Sequence, residues 1–257
     1  MTDPRVAPQA ARFGDVADRY ERARPLYPQA ALSELAARCG LRSGTPVVDL
    51  GAGTGKLTRQ VAALGTDVVA VEPAAGMRRR LEAEVPGVPV LDGTAEDIPL
   101  PDASVEVVTA GQAFHWFDTR RALDEIARVL RPNGWLALLW NERPESGWAA
   151  GLWDLRRQLT EAAADTYPGR GWAEVLAADD RFGPRTSSQH DVVVTTTVDA
   201  ELVDSESRSC MYVVDEPRRQ EVLDRLRRFL DTHPETAGRR RLTYMRPCTL
   251  HLCQRSG

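Results

Sequence analysis

Residues 47–55 are Val47-Val48-Asp49-Leu50-Gly51-Ala52-Gly53-Thr54-Gly55. The first half is a short β-branched apolar run, which is typical of a strand buried on both faces of a sheet. Three glycines on alternate residues follow, and glycine permits positive φ angles and a close approach between backbone and ligand. Leu57, Val61 and Leu64 then fall at helical spacing, so we expect a helix after the loop. Strand, glycine loop and helix together predict a nucleotide-type binding site, because the first N–H groups of such a helix face the ligand.

The spacing of the glycines distinguishes between the ligands that use this plan. A phosphate-binding P-loop has four residues between its first glycine and a Gly-Lys pair, whereas three separate Gly51 from Gly55-Lys56. A dinucleotide fingerprint has its third glycine at the position of Lys56, so this interpretation is weakened as well. The stretch resembles instead the first motif of the class I S-adenosylmethionine (SAM) dependent methyltransferases, D-x-G-x-G-x-G. Asp49, Gly51, Gly53 and Gly55 match that motif position for position.

The resemblance implies an α/β fold of the class I methyltransferase type, which is a doubly wound, Rossmann-like, seven-stranded sheet, and SAM as the cofactor. It assigns five residues of the quoted stretch to cofactor binding: Asp49, Gly51, Ala52, Gly53 and Gly55. We expect a single domain, composed of N-terminal lid helices (1–40), a SAM-binding core (41–143), and cap helices with the last two strands (144–257). These last strands are expected at 192–197 and 242–253 as an antiparallel pair, with a helix near 217–230 between them.

A second buried strand, residues 67–71, leads to Glu72. Glu72 follows Asp49 by 72 − 49 = 23 residues, the interval expected when the two strands are neighbours and the acid meets a ribose. The alternative is that Glu72 caps the following helix, expected at 74–84. Met77 lies one turn into that helix, and we expect it against the adenine or in the core.

The third strand, residues 88–92, precedes Gly93-Thr94-Ala95-Glu96-Asp97-Ile98-Pro99-Leu100. This segment resembles the second motif of the same family, D-A-E-x-L-P, whose residues contact the adenine. Thr94 stands where the family often has Asp, which leaves Glu96 or Asp97 to bind the adenine amino group. Ala95 is expected to contribute its backbone.

The fourth strand, residues 105–110, leads into Gly111-Gln112-Ala113-Phe114-His115-Trp116-Phe117-Asp118. Ligands of doubly wound sheets bind beyond the carboxyl ends of the strands, so this loop, including Gly111 and Gln112, should face the transferable methyl group. Its A-x-H-W-F-D core resembles the trans-aconitate methyltransferase-like group. His115 is the candidate general base, because imidazole titrates near neutral pH. Alternatively His115 is a wall or hydrogen-bonding residue. Phe114 and Trp116 bound the acceptor pocket, shield the sulfonium through a cation–π contact, or belong to the core.

The segment 13–28 carries a helical apolar face and the pattern Y-x-x-x-R-P-x-Y-P. It resembles the start of trans-aconitate methyltransferase-like proteins, in which this helix covers the cofactor pocket. The resemblance makes Tyr20 and Arg24 candidate site residues. We expect Tyr20 over the methionyl part of SAM and Arg24, whose guanidinium can form two parallel bonds, near its carboxylate or near an acidic acceptor. The alternative is a surface ion pair of Arg24 with Glu21 or Asp18.

Composition narrows the choice of partners and compartment. A net charge of −4 over 257 residues, with no basic run longer than three arginines, argues against a nucleic-acid-binding surface. Four cysteines without a C-x-x-C pair or histidines at metal spacing predict reduced thiols and no metal site. No apolar run approaches the roughly 18 residues of a membrane span, so we expect a cytoplasmic protein.

These observations predict a SAM-dependent methyltransferase that transfers a methyl group to a small-molecule acceptor by in-line displacement. A SAM-binding enzyme that catalyses a cyclisation or rearrangement stays open, because fold does not fix function. So do a ligand-binding regulatory module and an NAD-dependent oxidoreductase, the latter disfavoured by Lys56. The sequence identifies neither the acceptor nor the oligomeric state.

Overall fold

The structure is a computed structural model that describes residues 26–160, 169, 171–211 and 214–257. The strands are β1 (Pro46–Leu50), β2 (Asp67–Val71), β3 (Val90–Leu91), β4 (Val105–Gly111), β5 (Leu130–Asn141), β6 (Thr186–Thr196) and β7 (Leu242–Gln254). The α-helices are α1 (Gln29–Cys39), α2 (Lys56–Ala62), α3 (Ala75–Glu84), α4 (Thr119–Val129), α5 (Gly147–Thr160), α6 (Trp172–Ala177), α7 (Val198–Glu206) and α8 (Glu216–Thr232).

The seven strands form one sheet in the order β3-β2-β1-β4-β5-β7-β6. β1 lies between β2 and β4 and is parallel to both, with Val48 level with Val69 and Val108. β7 is antiparallel to β5 and to β6. The predicted doubly wound, seven-stranded sheet is therefore confirmed, and the order reverses between β1 and β4, where such sheets bind their ligands.

The sheet is covered by hydrophobic side chains on both faces, as its apolar strands require. One cluster joins β4 and β5 to α4 and α6 through residues such as Phe114, Leu123 and Leu138. A second joins α1 and α2 to the opposite face through Leu32, Leu57 and Leu250. A third, with Trp148, Leu226 and Leu242, holds α5 and α8 of the cap on the start of β7.

Helices cover the sheet in both terminal parts of the chain. α1 is the described helix of residues 1–40, and Gly40 ends it with a φ of 66° and an N–H bonded to the carbonyl of Ala36. The cap helices α5 and α6 lie between β5 and β6 in the chain. Asp118 caps α4 by accepting a hydrogen bond from the backbone N–H of Arg121.

Two details of the carboxyl-terminal part differ from expectation. β6 begins at Thr186 and not at 192, because its polar first half still pairs with β7 along the edge of the sheet. α7 was not predicted, although Thr197 caps it through the N–H of Ala200. The expected lid helix within residues 13–24 lies outside the described residues.

Candidate functional site

A cavity opens at the carboxyl edge of the sheet, beside the β1–β4 reversal. Its walls come from the ends of β1, β2, β4 and β5, from α3, from the loop after β3, and from two arginines of the carboxyl-terminal part, Arg208 and Arg246. Most residues assigned from the sequence are among those that line it: Asp49, Gly51, Ala52, Gly53, Glu72, Met77, Ala95, Glu96, Gly111 and Gln112. Patterns more than 60 residues apart in the chain thus meet at one place.

The three glycines of the loop have positive φ angles, between 58° and 87°, which side chains rarely tolerate. They nevertheless serve different purposes. A Cβ on Gly51 would lie 2.8 Å from Cβ of Ala113, and one on Gly55 would lie 2.8 Å from Cγ of Leu81. A Cβ on Gly53 would meet no atom within 4 Å, although Gly53 lines the cavity. Gly51 and Gly55 are required by packing inside the protein, whereas the space beside Gly53 is open.

Asp49 is almost completely buried, with 1% of its surface exposed. Its Oδ2 accepts a hydrogen bond from Thr58 Oγ1 at 2.6 Å, and its Oδ1 accepts one from Thr109 Oγ1 at 2.8 Å. Burial raises the pKa of Asp49 to about 6, although both hydroxyls favour the charged form. Nearby Glu72 adds to the increase. A cation in the cavity would therefore stabilise this carboxylate.

Glu72 follows β2 and contacts two backbone segments of the site. Its Oε2 accepts a hydrogen bond from the N–H of Gly53 at 2.9 Å, and its Oε1 accepts one from the N–H of Ala74 at 2.8 Å. The second bond lies at the start of α3, so Glu72 supports the helix as well as lining the cavity. Burial raises the pKa of Glu72 despite these bonds. A carboxylate has about four acceptor positions, so two remain for a ligand.

Arg78 fixes the β2–α3 connection that carries Glu72. Its guanidinium donates to the carbonyls of Glu72 and Pro73 and forms two bonds of 2.9 Å with Asp92. Because an arginine fork is rigid, this arrangement holds the segment in one position.

On the side of the β3 loop, Met77 and Ala95 are buried in the cavity wall, at 4% and 3% exposure. Glu96 also lines the cavity, and its Oε1 accepts a hydrogen bond from the N–H of Asp118 at 2.7 Å. Asp97 is exposed and is not one of the lining residues that the structure describes. Of the two candidates for the adenine amino group, Glu96 is the one on the cavity.

The loop after β4 forms the middle of the wall. Gln112 has a φ of 55° and donates from Nε2 to the carbonyl of Asn141 at 2.7 Å, which connects the ends of β4 and β5. Trp116 lines the cavity, whereas Phe114 is fully buried in the core. His115 is absent from the described lining residues, and its ring lies 5.4 Å from that of Trp116.

Several lining residues were not predicted, and Tyr20 and Arg24 lie outside the described residues. Tyr27 packs against Gly111, where an added Cβ would lie 2.5 Å from the Tyr27 hydroxyl. Asn141 ends β5, Arg208 follows α7, and Arg246 lies in β7. No local motif marks Asn141, Arg208 or Arg246, whose places at the site depend on the pairing of β5 with β7 and on the packing of the cap.

Within the described ranges, no group of three or more His, Cys, Asp or Glu side chains is arranged to hold a metal ion. No helix there is both long and apolar enough to cross a membrane.

Comparison with known proteins gives consistent matches. Residues 48–138 match the family model of a methyltransferase domain. The chain is 40% identical over 230 residues to an uncharacterized methyltransferase of Mycobacterium tuberculosis, with 88% of each chain covered. Its fold is similar to that of a proposed type II methyltransferase from Anaeromyxobacter dehalogenans, with a TM-score of 0.70, 24% identity, and coverage of 89% and 97%. A Haemonchus contortus phosphoethanolamine N-methyltransferase, solved with S-adenosylhomocysteine, has a TM-score of 0.51 at 15% identity, with coverage of 89% and 53%.

Proposed function

Because the chain belongs to the SAM-dependent methyltransferases, we propose that it methylates a small-molecule acceptor in the cavity at the carboxyl edge of its sheet. The observation that carries the proposal is the far end of the cavity, which is the end away from β2 where Arg208 and Arg246 line the wall. Arg246 of the last strand is only 4% exposed there. Such a pocket favours a compact acceptor over a polymer strand, which needs an open groove.

The residues present fit SAM. The space beside the backbone of Gly53 is unfilled, and a side chain at this position would keep a ligand away from the backbone. Glu72 retains acceptor positions for the two ribose hydroxyls, and Asp49 offers a buried carboxylate that a cationic group would stabilise. We assign the ribose to Glu72 and the cationic methionyl portion to the side of Asp49. Met77, Ala95 and Glu96 would then hold the adenine.

When bound, SAM supplies a methyl group that the adjacent sulfonium makes electrophilic. An acceptor lone pair would bond to the methyl carbon while the carbon–sulfur electron pair would stay on sulfur, so no residue would have to protonate the leaving group. What the chain contributes is orientation: a rigid glycine loop, the Gln112–Asn141 connection and the ring of Trp116 define where an acceptor can lie.

A base is required only for an acceptor that must lose a proton, such as a neutral hydroxyl or amine. His115 remains our candidate, although it lies beside Trp116 rather than among the described residues of the wall. Hydrogen bonds needed for catalysis often form only in the substrate complex. The alternative of a cyclisation or rearrangement is less favoured, since the matched relative is a methyltransferase.

The test is release of S-adenosylhomocysteine (SAH) from SAM in the presence of small acids, phenols and amines. A parallel incubation with methyl-labelled SAM and total cellular protein and RNA detects macromolecular acceptors. We expect turnover with members of the small-molecule panel. Label that enters only macromolecules would overturn the proposal.

A further inference from the structure

Arg246 reaches the site because β7 runs against the other strands. Its neighbour along the strand, Cys248, is level with Asn141, the last residue of β5. Arg246 therefore lies beyond the end of β5, at the same edge where the parallel strands finish. On its other side it is level with Val192 of the edge strand β6. The direction of β7 thus places a cation at the edge of the sheet that binds ligands.

Arg246 is buried, and the charge of nearby Glu201 acts on it without satisfying all of its hydrogen-bond donors. Only 4% of the residue is exposed, and its Nε has no hydrogen-bond acceptor within the described part of the chain. Its guanidinium carbon lies 5.3 Å from the centre of the Tyr244 ring, a contact with a π face rather than with an anion. Removing a guanidinium from water is costly unless an anion and hydrogen bonds compensate. A cation in this state, on a cavity wall, is suited to an anionic ligand.

The charged groups around Arg246 are of both signs. Arg208, also on the wall, bonds to Asp204 at 2.6 Å and 3.1 Å. Glu201 is buried as well; burial and Asp204 raise its pKa, whereas Arg246 and Arg208 lower it. Arg208 and Arg246 are the two arginines of the carboxyl-terminal part that line the cavity.

The position of Arg246 assigns it to the acceptor rather than to the cofactor. Glu72 follows β2, and Arg246 lies on β7, with β1, β4 and β5 between them. At about 4.8 Å per strand, four spacings separate the two by roughly 19 Å across the sheet. A cofactor that lies at the reversal between β1 and β4, with its ribose at Glu72, does not occupy the β7 end of the cavity. That end is available to the acceptor.

We propose that the acceptor carries an anionic oxygen group, a carboxylate or a phosphate, and that Arg246, flanked by Arg208, binds it. This inference rests on the proposed small-molecule function and makes it more specific. An arginine fork binds such a group through two parallel N–H···O bonds, which fix both its position and its plane. Arg246 is accordingly a specificity-determining residue that recognises the anionic group of the acceptor.

The experiment measures binding of matched ligand pairs to the SAH-saturated protein by calorimetry. The pairs are succinate and succinamide, benzoate and benzamide, and benzyl phosphate and benzyl alcohol. We compare wild type, Arg246→Gln, Arg246→Lys and Arg227→Gln. The last is a matched control, because it also removes one positive charge from the cap, but from an exposed pair with Asp199.

In wild type and in Arg227→Gln, at least one anion is expected to bind about tenfold to a hundredfold more tightly than its neutral counterpart. Arg246→Gln should abolish this preference, Arg246→Lys should retain part of it, and SAH should bind all four proteins within about twofold. Preference in the benzoate or succinate arm identifies a carboxylate, and preference in the benzyl phosphate arm identifies a phosphate. If Arg246→Gln fails to fold, the test is the several-fold loss of anion affinity expected of Arg246→Lys.

Four outcomes would overturn the inference: no anion bound by wild type, equal binding of anions and neutral partners, an unchanged preference in the folded Arg246 variants, or an equal loss of SAH affinity in them. The last would assign Arg246 to the cofactor. Failure of this inference and failure of the proposed function give different results. SAH release with neutral acceptors alone refutes only the recognition of an anionic group by Arg246. Methyl label confined to macromolecules refutes the small-molecule function.

Discussion

Replacement of Asp49 by asparagine is expected to change stability in a pH-dependent way. The free energy of unfolding of the cofactor-free variant should increase relative to that of wild type as the pH rises. The pKa of Asp49 is about 6 in the folded protein against 3.8 for an ordinary aspartate, because the folded protein buries it completely. The folded state therefore binds this proton more tightly than the unfolded state does. Its contribution to the free energy of unfolding is fully present below about pH 4 and is lost as the pH rises through about 6.

The size of the effect follows from the same pKa shift. A difference of 6 − 3.8, or about 2.2 units, at about 1.36 kcal/mol per unit, is about 3 kcal/mol. Asparagine has the same shape and does not ionise. It keeps only one acceptor oxygen for the hydroxyls of Thr58 and Thr109, which costs a constant amount at every pH. The unfolding free energy of Asp49→Asn minus that of wild type should thus increase by about 2 kcal/mol between about pH 4.5 and 7.5, the rest of the effect falling below about pH 4.5.

The assay is urea unfolding of both proteins without cofactor at several pH values, followed by tryptophan fluorescence. Asp231→Asn serves as the control, because Asp231 is an exposed residue of α8, and its difference from wild type should stay nearly constant. A difference for Asp49→Asn that is flat, or that shrinks as the pH rises, would refute the argument that Asp49 is destabilised by burial.

Four further substitutions test the assigned roles. Glu72→Gln should weaken SAH binding at least about tenfold, because an amide has one acceptor oxygen where the carboxylate supports Gly53 and a ligand; unchanged affinity by calorimetry in a folded variant contradicts the ribose assignment. Gly53→Ala should cost about 1–2 kcal/mol of stability and also weaken SAH binding, while Gly51→Ala should lower the melting temperature further because of its clash with the interior; the reverse order of melting temperatures contradicts this division. His115→Gln should lower kcat about a hundredfold for a neutral acceptor and leave a carboxylate acceptor unaffected; equal effects on both argue against a base.

Elements that depend on local sequence could be predicted from it. The strand and loop of residues 47–55 can be predicted from that stretch alone, since the apolar run, the acid and the glycines are adjacent in the chain. The interval of 23 residues from Asp49 to Glu72 is also local, because one βα unit fixes it. The sheet and the part of the cavity wall that includes Asp49 and Glu72 were predicted from these patterns.

The far end of the cavity could not be predicted in the same way. Arg246 lies at the ligand-binding edge only because β7 is antiparallel and has Cys248 level with Asn141, a register set by contacts across more than 100 residues. Arg208 depends on α7, a short helix with a weak apolar period. In the sequence these arginines are two among 32, and nothing beside them indicates burial.

The two ends of the cavity differ in charge, and this difference orders the two substrates. Asp49 and Glu72 are buried acids with raised pKa values at the β1–β2 end, so the free protein bears the cost of their ionisation until a cation arrives. Arg246 is a buried cation at the β7 end, with the opposite requirement. A sulfonium is stabilised near the acids of the β1–β2 end and would be repelled near Arg246. An anionic acceptor is stabilised near Arg246 and would be repelled by the acids. Under the proposed assignments, charge therefore opposes an exchange of places between cofactor and acceptor. It favours an acceptor bound at the β7 end, on the side of the cofactor's methyl group.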